Sequence, residues 1–323
     1  MTRVVAVNSN GGPEVLSLED WPVADPGPGE VRIRQTAIGL NFIDTYQRSG
    51  LYPQKLPFVA GNEAAGVVTA VGEGVSEFKP GDRVCYQGLL GAYAEERLVP
   101  AARLLPIPEG VDERTAAAIL LKGLTAYYLL FKTWPVKQGE TILWQAAAGG
   151  TGLIATQWAK ALGATVIGTA GGPEKTALAK AHGCDHAIDY RAEDFAARVR
   201  EITGGRGVDV VYDGVGKATF EGSLDCLRPR GLMVSFGNAS GVVSVPDLGV
   251  LSRKGSLYLT RPTGLHYFAR REDLLEGAAA LFEAVRSGAI RVEASRSYRL
   301  DQAAEAHRAL EARETTGSVV LLP

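Results

Sequence analysis

The sequence predicts an α/β fold in which a β-rich, turn-rich segment is followed by a doubly wound parallel sheet. Three observations carry this expectation. Apolar strands and amphipathic helices alternate between about residues 141 and 260, the pattern of a parallel sheet covered on both faces. A glycine-rich loop, Ala147-Ala148-Gly149-Gly150-Thr151-Gly152, joins the first of those strands to its helix. Before it, prolines at 26, 28, 53, 57, 80, 106 and 108 punctuate short alternating runs, as in a small barrel or sandwich.

The elements follow in chain order. Val31-Arg32-Ile33-Arg34 alternates as a half-buried strand does, and Gly66 to Val71 and Arg83 to Tyr86 are further strands. Glu113 to Phe131 carries helical apolar spacing. Six strands are then expected at 141–146, 165–169, 186–189, 208–212, 232–236 and 256–260, with helices at 150–162, 173–181, 192–202 and 219–227. Right-handed crossovers place all the strand ends on one edge. A long helix over 271–287, a strand-like Ile290-Arg291-Val292, another helix and a terminal strand over 317–322 complete the chain.

The 323 residues suit two domains of roughly 150 residues each. A net charge of −2 and the lack of a basic run argue against nucleic acid. The most apolar stretch, Thr115 to Phe131, is short for a membrane span and is broken by Lys122 and Gly123. Cys85, Cys184 and Cys226 form no paired motif, and Met1 to Gly12 has no apolar signal core. A reducing, cytoplasmic setting is the expectation.

The glycine-rich loop is the strongest chemical signal. In a strand–loop–helix context Gly149 lets the backbone approach a pyrophosphate. Gly152 permits close helix–strand packing, and the helix N-terminus presents free N–H groups. Dinucleotide binding is therefore expected. The end of the second strand selects the nucleotide. Sheets that bind NAD carry an acid there for the ribose hydroxyls, but here Ala170 stands in that place, followed by Gly171-Gly172-Pro173-Glu174-Lys175. Without a carboxylate nothing repels a 2′-phosphate, and Lys175 is placed to pair with one, so NADPH is favoured over NADH. The alternative for Lys175 is a solvated helix residue. Tyr190, Asp213 to Gly216 and Phe236 to Asn238 lie at other strand ends, and Tyr190 is a candidate to stack on adenine.

Taken together, these motifs resemble a family. Gly61-Asn62-Glu63-Ala64-Ala65-Gly66 with Gly72 and Val75, then Pro80-Gly81-Asp82-Arg83-Val84, is similar to the corresponding element of medium-chain alcohol dehydrogenases. Gln145 to Gly152 with Gln157 to Lys160, Asn41 to Tyr46, Arg48 to Pro53, Lys122 to Tyr128, Gly231 to Asn238 and Thr260-Arg261-Pro262 resemble bacterial quinone oxidoreductases, relatives of zeta-crystallin. The resemblance spans essentially the whole chain. It implies a GroES-like catalytic domain over 1–124 and 265–323 and a Rossmann NADP-binding domain over 125–264, in a homodimer joined through the cofactor domains. It also implies cofactor contacts at Asn41, Phe42, Ile43, Asp44, Tyr46, Thr125, Tyr128, Gly150, Gly172, Lys175, Tyr190, Val215, Phe236, Gly237, Asn238, Pro262 and Arg313.

Where zinc-dependent relatives place a cysteine and a histidine, this chain has Asn41 and Asn62. Neutral amides are poor zinc ligands, so no metal is expected. An acceptor that takes hydride without a Lewis acid must be electron-poor, as a quinone or a conjugated enone is. The expected activity is hydride transfer from NADPH to a quinone. A 2-alkenal or enone reductase is the alternative, as is a largely non-catalytic NADPH- or RNA-binding protein of the zeta-crystallin kind. Asn41, Tyr46 and Tyr52 are the candidates for the substrate pocket: Asn41 as a donor to a developing oxyanion, either tyrosine as a donor, a proton relay or merely a pocket wall.

Overall fold

A computed structural model of the chain describes residues 1–294 and 296–323. The chain forms two compact units. The first comprises Met1–Leu124, Phe268–Arg286 and Val292–Pro323; the second comprises Thr125–Tyr267 with Ser287–Arg291.

The first unit opens with β1 (Thr2–Val7), β2 (Leu16–Trp21) and β3 (Glu30–Leu40), then α1 (Phe42–Arg48). β4 (Phe58–Val59), β5 (Glu63–Val71), β6 (Arg83–Gln87), β7 (Glu96–Pro100) and β8 (Leu105–Pro106) follow, and α2 (Glu113–Tyr127) begins here. β3 alternates inward and outward along its first half, as its sequence pattern requires, and is wholly buried over its last residues. There β5 and the C-terminal strand flank it on either side. A three-stranded sheet runs β2-β1-β4. Val5, Ile33, Ile38, Leu40, Tyr86 and Tyr93 share one core with Leu300 and Leu321 from the far end of the sequence.

The second unit is the expected series. It contains β9 (Thr141–Trp144), α3 (Gly150–Ala161), β10 (Thr165–Ala170), α4 (Pro173–Ala181), β11 (His186–Asp189) and α5 (Phe195–Ile202). β12 (Val208–Asp213), α6 (Phe220–Asp225), β13 (Leu227–Ser235), α7 (Gly249–Arg253), β14 (Tyr258–Thr260) and α8 (Gly264–Tyr267) complete it. The six strands run in the order β11-β10-β9-β12-β13-β14, all parallel. This is a doubly wound sheet with its topological switch between β9 and β12, where the strand order reverses. β9 and β12 are almost entirely buried because helices cover both faces.

The chain then returns to the first unit through α9 (Arg271–Arg286), β15 (Arg296–Arg299), α10 (Ala303–Glu311) and β16 (Val319–Leu322). β16 pairs with β3 antiparallel and with β15 parallel. The large sheet therefore reads β15-β16-β3-β5-β6-β8, with β7 also paired to β3.

Three expectations are corrected. The helix expected over Glu113 to Phe131 ends as α-helix at Tyr127 and continues as a π-helical turn, Tyr128–Thr133. Apolar spacing does not distinguish the two windings. Ile290-Arg291-Val292 forms no strand. The side chain of Gln157 takes the part of a strand neighbour, donating to the Arg291 carbonyl at 3.0 Å and accepting from its N–H at 3.0 Å. β13 begins at Leu227, because Leu227 pairs with Val208 ahead of an irregularity at Pro229-Arg230-Gly231, which reads as a turn in sequence.

Candidate active site

In the second unit the parallel sheet brings Gly149 to Gly152, Gly172 to Lys175, Tyr190, Val215 and Phe236 to Asn238 to one carboxyl edge. The phosphate loop is built as the glycine pattern predicts. Gly149 is the N-cap of α3, and no side chain caps that helix, which leaves its first N–H groups to an anion. A β-carbon on Gly152 would lie 2.5 Å from the Ala146 carbonyl oxygen and 2.6 Å from that of Ala147, so only glycine allows this packing. Ala146 itself adopts φ 57°. A left-handed alanine costs about 1–2 kcal/mol, and strain of this kind gathers at functional loops.

At the end of β10, Ala170 is buried and Gly172 takes φ 93° at the N-cap of α4. Asp189 stands at the end of β11. Its carboxylate accepts the N–H groups of Gly172 at 2.9 Å and Arg191 at 3.0 Å, which hold it below the usual range. A β-carbon on Gly171 would meet the Tyr190 hydroxyl at 2.6 Å and Arg191 Nε at 3.0 Å. Arg191 thus joins Lys175 and Tyr190 around the Gly171–Gly172 turn. It follows Tyr190 directly, and its position at a strand end was the signal available for it.

On the other side of the switch the loops after β12 and β13 knit together. Ser240 N donates to the Val215 carbonyl at 2.7 Å, and Ala239 N to that of Gly214. A β-carbon on Gly237 would sit 2.2 Å from the Gly214 carbonyl oxygen. Phe236 packs against Trp144 at 5.5 Å between ring centroids, and Asn238 is buried. Pro262, after β14, is half-buried, as is Thr125 near the end of α2. Tyr128 is buried and stacks on Tyr267 at 4.6 Å, which occupies one of its faces.

The first unit carries the remaining candidates, organised around α1. Asn41 is the N-cap of this helix, and its N–H donates to Asp44 Oδ2 at 2.8 Å. Its amide nitrogen donates to Glu63 Oε1 at 2.7 Å. Glu63 is fully buried; it also accepts from the Leu121 N–H and pairs with Lys122 Nζ at 2.9 Å. Asn62 Nδ2 donates to Asp44 Oδ1 and to Gln47 Oε1, both at 2.6 Å. The two amides at the zinc-ligand positions are thus donors to carboxylates and to a further amide. The engagement with Glu63 also alters the expected part of Asn41: its amide hydrogens point into this network.

Burial pushes the Asp44 carboxyl up to about 6, opposed by its bonds from Asn62, Asn41 and Tyr93. The Tyr93 hydroxyl reaches both Asp44 Oδ2 and His307 Nε2 at 3.0 Å. His307 Nδ1 lies 2.9 Å from Arg48, which also pairs with Glu311 at 2.7 Å. Burial, and then the Arg48 charge, press the His307 imidazole down to about 3. It is therefore neutral, with Nδ1 accepting from Arg48 and Nε2–H donating to Tyr93. No motif in the sequence singles out His307, because its partners lie too far along the chain for spacing to show.

Phe42 and Ile43 are half-buried at the start of α1. The rings of Tyr46 and Tyr52 meet edge to face at 5.2 Å, and the Tyr52 N–H bonds the Tyr46 carbonyl. Arg313, just past α10, is exposed and takes φ 59°, a position where glycine is the usual choice. Cys85 is buried in β6, where burial raises its thiol. Among the described residues no group of three or more His, Cys, Asp and Glu could hold a metal ion, and no helix is long and apolar enough to cross a membrane.

Comparison with known proteins agrees with this architecture. Residues 27–109 match the alcohol dehydrogenase GroES-like domain, and residues 150–281 match the zinc-binding dehydrogenase family. These two matches define a medium-chain dehydrogenase/reductase with a GroES-like and a Rossmann part. A quinone oxidoreductase of Pseudomonas aeruginosa is 54% identical over 100% of both chains. A 2-haloacrylate reductase of a Burkholderia species is 48% identical over 100% of this chain and 99% of its own. The crystal structure of an Escherichia coli quinone oxidoreductase complexed with NADPH superposes with a TM-score of 0.97 at 50% identity, covering 99% of this chain and 100% of that one. The chain belongs to the quinone oxidoreductase family of the medium-chain dehydrogenases/reductases.

Proposed function

We propose that this protein is an NADPH:quinone oxidoreductase that transfers hydride without a metal ion. The observation that carries the reading is the pair of amides, Asn41 and Asn62, at the zinc-ligand positions, each donating to a buried carboxylate. Neutral amides at those positions are poor ligands for a Lewis acid that would polarise a simple carbonyl, so the acceptor must itself be electron-poor. A quinone delocalises the incoming charge over its ring. The names of relatives such as the Pseudomonas aeruginosa quinone oxidoreductase point to the same acceptor.

The carboxyl edge of the parallel sheet fits NADPH. The uncapped start of α3 offers N–H groups to a pyrophosphate. Lys175 and Arg191 supply positive charge beside the Gly171–Gly172 turn, and the nearby Asp189 carboxylate is held by backbone N–H groups. Tyr190, exposed at the end of β11, is a platform for adenine. The cofactor supplies the hydride from its reduced nicotinamide. The protein supplies binding and orientation. Tyr46 and Tyr52 form the aromatic wall of the quinone pocket and offer hydroxyls to its oxygens. Asn41 acts by fixing the start of α1 rather than by donating to an oxyanion.

Homodimer formation through the second unit is part of the proposal. β14 is the edge strand of its sheet and exposes Tyr258, while Val242 and Leu248 are exposed in the segment leading to it. An open edge with apolar side chains favours pairing with a second copy. Three buried free thiols fit a reducing, cytoplasmic setting.

The 2-haloacrylate reductase relative favours a second reading, reduction of an activated alkene on the same frame. The test follows NADPH oxidation with 1,4-benzoquinone, 9,10-phenanthrenequinone, an enone, 2-chloroacrylate and no acceptor. Nucleotide binding is measured in parallel by fluorescence. Turnover with the quinones supports the proposal. Turnover confined to the enone or haloacrylate moves the assignment to alkene reduction. Binding of NADPH without turnover in any well leaves a non-catalytic binder.

A further inference from the structure

Beneath the carboxyl edge of the parallel sheet runs a buried chain of polar side chains that the cofactor contacts do not include. It starts at the strained loop residue: Ala146 N–H donates to Thr169 Oγ1 at 3.3 Å. Thr169 Oγ1 donates to Gln145 Oε1 at 2.6 Å, and Gln145 Nε2 to Ser223 Oγ at 3.0 Å. Ser223 Oγ donates to Asp213 Oδ2 at 2.9 Å, where Thr219 Oγ1 also donates at 2.7 Å. The other carboxylate oxygen, Oδ1, accepts the N–H groups of Val215 at 2.8 Å and Gly216 at 3.0 Å. Asp213 and Ser223 are 0% exposed, Thr169 1% and Gln145 2%.

The chain has three properties that packing alone does not require. It crosses the switch point, taking one residue from the end of each of β9, β10 and β12. Its hydrogens all point one way, toward Asp213, and only one orientation of the Gln145 amide satisfies both of its neighbours. Its two ends are backbone N–H groups of loops on opposite sides of the switch, Ala146 before the phosphate loop and Val215–Gly216 after β12. A buried network in which each polar side-chain atom has a partner is rigid, and it sets the parts attached to it in one arrangement. An apolar core at the same place would hold the sheet but leave both loops to find their own positions.

We infer that Thr169, Gln145, Ser223 and Asp213 are positioning residues that tie the phosphate loop to the loop after β12 and so preorganise the edge for the dinucleotide. The inference rests on the NADPH reading and deepens it. Because the network acts on loops around the switch and not on the Gly171–Gly172 turn, it serves the part of the ligand that NADPH and NADH share. Its loss weakens both nucleotides alike, whereas loss of Lys175 weakens NADPH alone.

The test is the isosteric pair Thr169→Val and Thr169→Ser, with Kd for NADPH and NADH read by fluorescence titration of the whole protein well below its unfolding temperature. Valine removes the hydroxyl and leaves Ala146 N–H and the Gln145 carbonyl without partners, while serine keeps it. The expected result is a rise in Kd of about tenfold for both nucleotides in Thr169→Val, with their ratio unchanged, and recovery in Thr169→Ser. Gln145→Leu, which breaks the same chain one residue on, gives the same pattern. Should Thr169→Val unfold more easily yet bind both nucleotides as the wild type does, the network is only structural and the inference fails. It fails also if the NADPH:NADH ratio shifts. Wild-type protein that binds neither nucleotide overturns the cofactor reading itself and this inference with it.

Discussion

At Lys175 and Arg191 the cofactor preference is expected to reside in charge rather than in shape. Replacing either with alanine is predicted to raise the Kd for NADPH about tenfold and leave NADH nearly unchanged; fluorescence titration checks this, and equal loss for both nucleotides would count against a 2′-phosphate role. His307 gives a second residue-level prediction. Its folded value of about 3 lies below the ordinary 6.5, so the unfolded chain binds the extra proton between those values. The stability that neutral His307 contributes is full above pH 6.5 and drains away as pH falls toward 3. Against a His307→Gln variant, the wild type should lose roughly 3 kcal/mol between pH 7 and pH 4, read from urea midpoints at each pH. Asp44 has the opposite sense over its own window, from 3.8 up to about 6, but it is present in both proteins. The close packing at Gly152 was legible in sequence because it follows from position in a strand–loop–helix unit. His307, Glu63 and Lys122 were not, since each partner pair joins distant parts of the chain.

Among the elements, the alternation that marks the parallel sheet is local, and five of its six strands appear within about two residues of where periodicity placed them. The exception, β13, starts early because a strand can carry a Pro-Arg-Gly irregularity that sequence reads as a turn. The first unit was less legible. β1 finds its partners in β2 and β4, and β16 comes back to β3 from the end of the chain. No window of sequence contains both sides of those pairings. α1 is short and was not expected as a helix, although Asn41 followed three residues later by Asp44 is a capping signal. The junction of β5 and α2 rests on a buried ion pair, Lys122 with Glu63. Lys122→Met should cost about 3–5 kcal/mol by leaving Glu63 without its charge partner. The double variant Lys122→Met/Glu63→Gln should recover much of that. Additive losses in urea denaturation would mean that the two side chains act independently.

For the molecule as a whole, two units of different architecture divide the work proposed for them: nucleotide at the edge of a parallel sheet, and acceptor beside α1. Assembly belongs to this scale. If β14 pairs with its copy, the wild type sediments as a dimer at micromolar concentration, and Tyr258→Asp, which puts a charge on that edge, sediments as a monomer. A wild type that is monomeric throughout contradicts the edge-pairing proposal. The central claim is that hydride passes from NADPH to a quinone with amides, not metal ligands, at Asn41 and Asn62. The most direct measurement is the rate of NADPH oxidation by 1,4-benzoquinone before and after exhaustive chelation of the protein. The expected result is a protein-dependent rate that chelation leaves unchanged. A rate that vanishes on chelation and returns with added zinc would contradict it.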